Sequence, residues 1–184
     1  RLDQRTPPDV RLVFQNPALL GSLTVRENVG FLLYRYGRLS EREIRNRVGA
    51  ALNAVGLQGI EEQLPGELSG GMQKRVSFAR ALIDDPGKST DQMPLLLFDE
   101  PTAGLDPLGV RQLRDTILRL NNELGMTVFM NTHLLGEVAK VCTTIGVLNH
   151  GELIYKDSIE ETNRRFPNEA SLEDIYVHME GTTR

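Results

Sequence analysis

The sequence contains little of what marks several common classes of protein. Its 184 residues include no tryptophan and one cysteine, Cys142. One cysteine excludes a disulfide within the chain. Cys142 is predicted to lie on a helix as a small apolar side chain, which suits a reducing compartment. No apolar run approaches the roughly 20 residues that span a bilayer, and no N-terminal signal pattern is present. We therefore expect any membrane role to depend on a partner.

Charge of one sign is not concentrated in the chain either. The formal net charge is −4, which provides no basic surface for nucleic acid, so we expect no nucleic-acid partner. Apolar residues make up 40% and charged residues 25%, as in ordinary soluble domains. The length suffices for one domain with a sizeable core, and no internal repeat is visible.

A loop that enters a helix is predicted over residues 68–82. Two glycines, Gly70 and Gly71, precede the helix and allow backbone N–H groups to approach a ligand, while Ser69 adds a hydroxyl. A helix N-terminus of this kind favours an anion. The alternative is an ordinary helix cap on a core helix. The helix has one apolar face, and its cations Lys74, Arg75 and Arg80 lie off that face, which consists of Met72, Val76, Ala79 and Ile83.

A short apolar run ends in two acids, Asp99 and Glu100. Such a run is typical of a strand that is buried on both faces of a parallel sheet. Acids at its carboxyl end lie where open α/β sheets bind ligands. Asp99 is suited to hold Mg²⁺, and Glu100 is suited to polarise a water molecule. The alternative is a buried strand whose acids cap the following element.

Together these segments resemble motifs of the ATP-binding subunit of ABC transporters. Leu68–Met72 is similar to the signature loop of that family, and Leu95–Glu100 to its Walker B strand with the catalytic glutamate. Ala103–Asp106 resembles the D-loop, Gln15 the Q-loop glutamine, and His133 the switch histidine. The motifs occur in the family's order and with similar spacing, and they cover nearly the whole chain.

The resemblance implies a fold and a mechanism. The implied fold is α/β, a P-loop NTPase-like, mostly parallel sheet with flanking helices and an inserted helical subdomain. The implied subdivision is a helical subdomain over 16–67, a catalytic core over 68–157 and C-terminal helices over 158–184. The implied cofactors are ATP and Mg²⁺. The implied partners are transmembrane permease subunits and a second ATP-binding subunit, identical or different, at the cytoplasmic face of a membrane.

The resemblance also implies roles for single residues. Ser69, Gly70 and Gly71 are expected to contact the γ-phosphate of ATP held by the partner subunit. Met72, where the family commonly has Gln, is expected to belong to the same cofactor-binding loop. Asp99 and Gln15 are expected to hold Mg²⁺, and Glu100 to activate the attacking water. His133 is expected to stabilise the γ-phosphate, and Asp106 to connect the two sites of the dimer.

The phosphate-binding loop of the family is not found in this sequence. The family places it roughly forty residues before the Q-loop glutamine, in a G-x-x-x-x-G-K-[ST] motif. The segment Gly87–Thr90 reads Gly-Lys-Ser-Thr, but the motif requires glycine at position 82, which is Leu82. We therefore interpret Gly87–Met93 as a surface insertion and expect an ATP-binding domain truncated at its N-terminus.

Capping boxes predict the remaining helices. Thr24–Glu27 begins a helix toward Tyr36, and Ser40–Glu43 begins another that ends near Gly56. Further predicted elements are strands at 10–14, 127–130, 145–148 and 152–155, and helices at 107–124 and 134–142. Ser158 and Ser171 are predicted to cap two terminal helices.

The substrate and the function class remain open. Gly21–Phe31 resembles lipid-trafficking ATPases, whereas His133–Val138, Gly146–Gly151 and Ser171–Tyr176 resemble drug or antibiotic exporters and favour that subfamily slightly. One alternative function is a soluble ABC ATPase of translation or DNA repair, which a second cassette or a coiled-coil insertion would indicate. Another is an inactive fragment, which the missing phosphate-binding loop would favour.

Overall fold

The computed structural model describes residues 9–37, 39–83 and 94–182. The chain divides into two compact units, Arg1–Asn131 and Thr132–Arg184. No helix in the described ranges has the length and hydropathy needed to span a membrane. The predicted insertion Gly87–Met93, which contains the rejected Gly-Lys-Ser-Thr segment, lies outside the described residues.

A three-stranded parallel sheet lies at the centre of the first unit. Its strands are ordered β1-β2-β3. The central strand begins right after Pro94, and its last residue, Asp99, is in register with Asn131. The α/β fold and the strand–helix–strand unit that begins with β2 are therefore confirmed. The strands are β1 (Val10–Val13), β2 (Leu95–Asp99) and β3 (Thr127–Asn131).

One face of this sheet is buried by the described elements and the other is not. Leu96 and Phe98 of β2 are only 1% and 2% exposed. Leu97 is half-buried, and its register partners Leu12 and Phe129 are 49% and 63% exposed. The prediction that β2 is buried on both faces is therefore right for one face only, because described elements of the first unit cover one side of the sheet.

Two helices, α4 (Gly70–Leu82) and α5 (Pro107–Asn122), pack against each other beside the sheet. The ring of Phe78 stacks on that of Phe98 with centroids 4.3 Å apart. The predicted helix end at Leu124 is two residues too late, and Leu124 is 36% exposed. The apolar residues in the middle of α5 are buried: Leu113, Ile117 and Leu120.

Both predicted capping boxes are present. The Thr24 and Ser40 side chains each accept a hydrogen bond from the backbone N–H three residues later, and the glutamates there, Glu27 and Glu43, bond back. The helix after Ser40 ends just before Gly56, which has a left-handed φ of +70°. A short 3-10 helix over Pro65–Glu67 precedes the signature loop and was not predicted. The helices of this region are α1 (Val25–Val29), α2 (Phe31–Tyr36) and α3 (Glu41–Ala54).

The single helix predicted from Thr24 toward Tyr36 is wrong, because the chain forms two helices that meet at Gly30. A Cβ on Gly30 would lie 3.1 Å from a side-chain carbon of Val48 on α3 and 3.0 Å from the carbonyl oxygen of Arg26. The missing side chain thus allows the α1–α2 junction to approach α3 closely. Because glycine has a low helix propensity, the helix is interrupted at Gly30, the position where close packing requires glycine.

In the second unit, residues 132–182 form an antiparallel hairpin and three helices. The hairpin turn His150-Gly151 has φ values of +49° and +83°, the signs of a type I′ turn. Ser158 and Ser171 cap the last two helices through hydrogen bonds of 3.0 Å and 3.2 Å, as predicted. Cys142 follows the first helix rather than lying on it and is half-buried, so burial raises the pKa of its thiol. The elements are α6 (Leu135–Val141), β4 (Thr144–Asn149), β5 (Glu152–Ser158), α7 (Ile159–Arg165) and α8 (Leu172–Thr182).

Candidate active site

The two acids after the apolar run lie at the carboxyl edge of the parallel sheet. Asp99 ends β2, and its Oδ1 accepts a hydrogen bond of 3.2 Å from the side-chain amide of Asn131 on β3. Gln15 follows β1, exposed to solvent, two residues after that strand ends. Since parallel strands end at the same edge, the structure brings Gln15, Asp99 and Glu100 to one side of the sheet.

Glu100 has an uncommon backbone conformation. Its φ is +44°, in the left-handed region that side chains other than glycine rarely adopt. Its N–H donates to the carbonyl of Asn131 at 2.9 Å. Its carbonyl accepts from the Ala103 N–H at 3.1 Å and from the Lys74 ammonium at 3.2 Å. Hydrogen bonds at both ends of the residue thus hold the turn that leads out of β2.

Lys74 is the main contact at this edge that sequence reasoning missed. It lies on α4, its residue exposure is 6%, and its ammonium also donates to the carbonyl of Pro101 at 2.8 Å. Burial lowers the pKa of Lys74, whereas the charge of Glu100 acts in the opposite direction. Helical periodicity gave no signal for this contact, because its acceptors are backbone carbonyls of another segment.

The signature loop presents an open helix N-terminus. Ser69 caps α4, with the Met72 N–H donating to its Oγ at 3.2 Å. Capping uses the oxygen as an acceptor and leaves the hydroxyl able to donate. Ser69 and Gly70 are exposed, Gly71 and Met72 are half-buried, and a Cβ on Gly70 would meet nothing within 4 Å. The helix-cap reading is therefore correct, and the same geometry leaves room for an anion.

Gln73, next in the chain, fixes the path of this loop. Its side-chain amide donates to the carbonyls of Pro65 at 3.0 Å and Leu68 at 3.3 Å. The Leu68 side chain is buried at 7% exposure. The loop is thus anchored from below while Ser69 and Gly70 face solvent.

Asp106 also caps a helix. Its Oδ1 accepts from the Gly109 N–H at 2.8 Å and so begins α5. A Cβ on Gly71 would lie 3.7 Å from the Cα of Gly109, so the start of α5 lies against the signature loop. Between Glu100 and Asp106, Thr102 has a buried hydroxyl without a hydrogen-bond partner among the described residues.

Arg80, near the other end of α4, contacts the loop that follows Gln15. Its guanidinium donates to the carbonyls of Pro17 at 2.9 Å and Ala18 at 2.8 Å. Burial lowers the pKa of Arg80, but a guanidinium remains charged at neutral pH. Helix α4 therefore touches three predicted motifs of the first unit: the signature loop, the turn at Glu100 and the segment after Gln15.

His133 belongs to the second unit, two residues after β3, and its side chain is exposed. Its backbone carbonyl accepts the Leu135 N–H at 3.1 Å. Its predicted approach to the nucleotide therefore stays a prediction.

The donor set at the sheet edge suits Mg²⁺. Among the described residues, no group of three or more His, Cys, Asp or Glu side chains is positioned to enclose a metal ion. Mg²⁺ in nucleotide sites usually binds one or two carboxylates, phosphate oxygens and water rather than a protein cage. One carboxylate, Asp99, with the amide oxygen of Gln15 fits that pattern.

A parallel sheet with two acids at its carboxyl edge, beside an exposed helix N-terminus, defines an α/β nucleotide-binding protein. A family profile described as "ABC transporter" matches residues 2–103. The chain belongs to the ABC transporter family.

Individual relatives differ in what they are named for. The chain is 55% identical over 108 residues to Protein TRIGALACTOSYLDIACYLGLYCEROL 3, chloroplastic, of Arabidopsis thaliana, which covers 59% of this chain and 31% of that protein. It is 39% identical over 152 residues to the methionine import ATP-binding protein MetN of Lactobacillus johnsonii, covering 83% of this chain and 41% of that protein. The chain thus spans about a third to half of these relatives' length. The importers among them do not support the drug-exporter or lipid-trafficking subfamily suggested by the sequence.

Solved structures share the fold. A dimeric structure of a post-hydrolysis state of the ATP-binding cassette MJ0796, bound to ADP and Pi, matches with a TM-score of 0.67 and 32% identity over 83% of this chain and 63% of that one. The structure of cbiO1 from Clostridium perfringens, part of the ABC transporter complex cbiONQ, matches with a TM-score of 0.72 and 30% identity over 94% of this chain and 67% of that one.

Proposed function

We propose that the protein is the ATP-binding and ATP-hydrolysing subunit that powers an ABC membrane transporter. The observation that carries the proposal is the placement of Asp99 and Glu100 at the carboxyl edge of the sheet, in the same unit as the exposed helix N-terminus at Ser69. The relatives support it, since they include import ATP-binding proteins and a cassette bound to ADP and Pi.

Phosphoryl transfer to water needs positioning and charge stabilisation more than covalent chemistry. When bound, Mg²⁺ supplies charge neutralisation for the phosphates. Asp99, oriented by the amide of Asn131, would hold the ion together with the side-chain oxygen of Gln15. Glu100 orients the attacking water and accepts its proton. The family resemblance gives His133 the role of a hydrogen-bond donor to the γ-phosphate.

The working form is a head-to-tail dimer of two such subunits, identical or different. Ser69, Gly70 and Gly71 present a hydroxyl and backbone N–H groups to the γ-phosphate held by the partner subunit. Asp106, at the exposed start of α5 beside the signature loop, connects the two sites. The solved dimer of MJ0796 supports a dimeric working form.

A groove of the first unit suits a transmembrane partner. Its volume is about 560 Å³, and it lies between β1, the segment after Gln15, α2 and α4. The helical subdomain expected over 16–67 is the part that grips the permease. The protein thus works as a peripheral subunit at the cytoplasmic face of a membrane. The groove exposes several large apolar side chains: Leu12, Phe14, Leu20, Phe31 and Leu32.

The substrate stays a hypothesis. Gly21–Phe31 resembles lipid-trafficking ATPases, and one relative bears a galactolipid's name, whereas others are methionine importers. The exporter-like segments, such as His133–Val138, lie in the second unit. A soluble ABC ATPase remains the alternative function. A soluble ATPase would hydrolyse ATP at the same rate with and without a membrane partner, whereas the hydrolysis rate of a transport ATPase changes when the membrane partner is added.

The test is ATP hydrolysis by the full-length protein and its Glu100→Gln variant. Gln keeps the shape of the side chain but cannot take the proton of water, so we expect the rate to fall by ~10² to 10⁴-fold. ATP should still bind, and size-exclusion chromatography with ATP and Mg²⁺ should show a trapped dimer.

Glu152→Gln, which changes an exposed glutamate of β5, is the matched control and should hydrolyse ATP at the parent rate. Hydrolysis by Glu100→Gln at the parent rate would remove Glu100 as the catalytic base. A parent protein without any ATPase activity would contradict the proposed function itself.

A further inference from the structure

A cation of the signature helix reaches the backbone of Glu100. Lys74 lies on α4, five residues after Ser69, and its ammonium spans the carbonyls of Glu100 (3.2 Å) and Pro101 (2.8 Å). At 6% exposure the ammonium is removed from water, so these carbonyls take the place of solvent. A buried lysine retained in this way needs those acceptors, because burying an unpaired charge is costly.

The contact of Lys74 is made with a residue whose backbone conformation is unfavourable by itself. The left-handed conformation of Glu100, with φ at +44°, is unfavourable for a residue with a side chain and persists only where its surroundings enforce it. Its N–H is held by Asn131 of β3 and its carbonyl by the Ala103 N–H and by Lys74. Among these, Lys74 alone comes from outside the sheet and its own turn. The direction of the Glu100 side chain follows from this backbone conformation.

The same helix presents the signature residues. Ser69 and Gly71 stand at the N-terminus of α4, and Lys74 projects from the next turn toward Glu100. A helix is stiff over this length, so a displacement of its N-terminus moves the lysine as well. This step rests on the proposed function. The geometry connects the N-terminus of α4, which serves the nucleotide of the partner subunit, with the carboxylate of Glu100, which serves the nucleotide of its own subunit.

We propose that Lys74 is a positioning residue for hydrolysis: it holds the backbone of Glu100 in its left-handed conformation and so couples the signature helix to the catalytic carboxylate. It touches neither nucleotide nor metal. Removing it leaves ATP binding intact and misaligns Glu100, so the loss appears in kcat and not in KM.

The test compares steady-state ATP hydrolysis by the full-length protein and its Lys74 variants. Lys74→Met keeps the length and apolar stem but has no donor, and we expect kcat to fall on the order of 10²-fold, the usual effect of a misplaced reacting group, with KM unchanged. Lys74→Arg restores a buried donor and recovers most of the rate. Lys140→Met removes an exposed lysine of α6 and has no effect.

A double variant separates positioning from general structural damage. If Lys74 acts through Glu100, adding Lys74→Met to Glu100→Gln slows hydrolysis no further. If Lys74 merely stabilises the fold, the two losses multiply, and the proposal is overturned. An unchanged kcat in Lys74→Met overturns it as well.

Hydrogen exchange gives a readout that is independent of activity. In Lys74→Met the amide of Ala103, which bonds to the Glu100 carbonyl, should exchange faster, while amides of α3 keep the parent rate. Equal exchange at Ala103 would contradict the proposal. If Lys74→Met does not fold, Lys74→Leu, which also has no donor, replaces it with the same criteria. If both the parent protein and Lys140→Met were inactive, the proposed function would be contradicted. Hydrogen exchange at Ala103 would still test whether Lys74 holds the backbone of Glu100.

Discussion

Asp99 and Glu100 are neighbours in sequence but lie in different surroundings. Asp99 is the last residue of β2 and is held by the side chain of Asn131 on the next strand. Glu100 turns out of the sheet with a positive φ and is held through its backbone. This difference supports different tasks for the two acids, a metal ligand in a fixed orientation and a base placed beyond the strand.

Replacing the metal ligand should therefore weaken nucleotide binding, unlike Glu100→Gln. Asp99→Asn keeps a hydrogen-bonding side chain but loses the charge that attracts Mg²⁺. We expect the affinity of the full-length protein for Mg²⁺-ATP to fall by about tenfold or more, and size-exclusion chromatography to show monomer where Glu100→Gln shows dimer. Asp115→Asn on the exposed side of α5 is the control. Parent-like Mg²⁺ dependence in Asp99→Asn would contradict the role of Asp99.

The sequence predicts where several helices begin but not where one of them is interrupted. The capping boxes at Thr24 and Ser40 were predicted, because each involves residues only three apart. The break at Gly30 was not, since its cause is the approach of α3, whose Val48 lies 18 positions away in the printed sequence. Local patterns predict where helices begin. Close packing between helices decides where a glycine interrupts one.

Two glycine substitutions should change stability in opposite directions. Gly30→Ala places a methyl group 3.0–3.1 Å from three neighbouring atoms, and overpacking of this kind costs about 1–3 kcal/mol. Gly49→Ala, within α3, meets nothing within 4 Å and should stabilise the helix by about 0.5–1 kcal/mol. Thermal or denaturant unfolding would measure both. If Gly30→Ala raised the free energy of unfolding, the α1–α2 junction would have room for a methyl group.

At the scale of the whole molecule, one helix carries the contacts that join the motifs of the first unit. Ser69 stands at its N-terminus, Lys74 reaches Glu100, and Arg80 reaches Pro17 in the segment after Gln15. In the proposed dimer, the exposed end of this helix serves the nucleotide of the opposite subunit. A change at Ser69 should therefore act in trans.

Ser69→Arg in the full-length protein should block hydrolysis without blocking ATP binding by the altered subunit. The large cation would occupy the space beside Gly70 that the partner's nucleotide requires. We expect a loss on the order of 10²-fold in rate, comparable to the removal of one oxyanion donor, with ATP affinity of the isolated monomer unchanged.

Mixed dimers with one Ser69→Arg subunit provide the decisive comparison. They should lose hydrolysis at the site opposite the change and retain nucleotide binding at both. Loss of nucleotide binding by an isolated Ser69→Arg monomer would show that Ser69 serves its own subunit's site.

The sequence alone was sufficient for the α/β class, the strand that leads to Asp99 and Glu100, the helix at Ser69 and the capping boxes. Each depends on residues close together in the chain, whose spacing and local hydrogen bonds leave a readable pattern. Tertiary structure decided the rest. Lys74 and Arg80 bond to residues 26 and 63 positions away, Glu100 and Pro17, and both donate to backbone carbonyls, which every residue possesses. The identity of a residue therefore does not reveal which backbone carbonyl will accept a hydrogen bond, and only the folded chain places that carbonyl beside the donor.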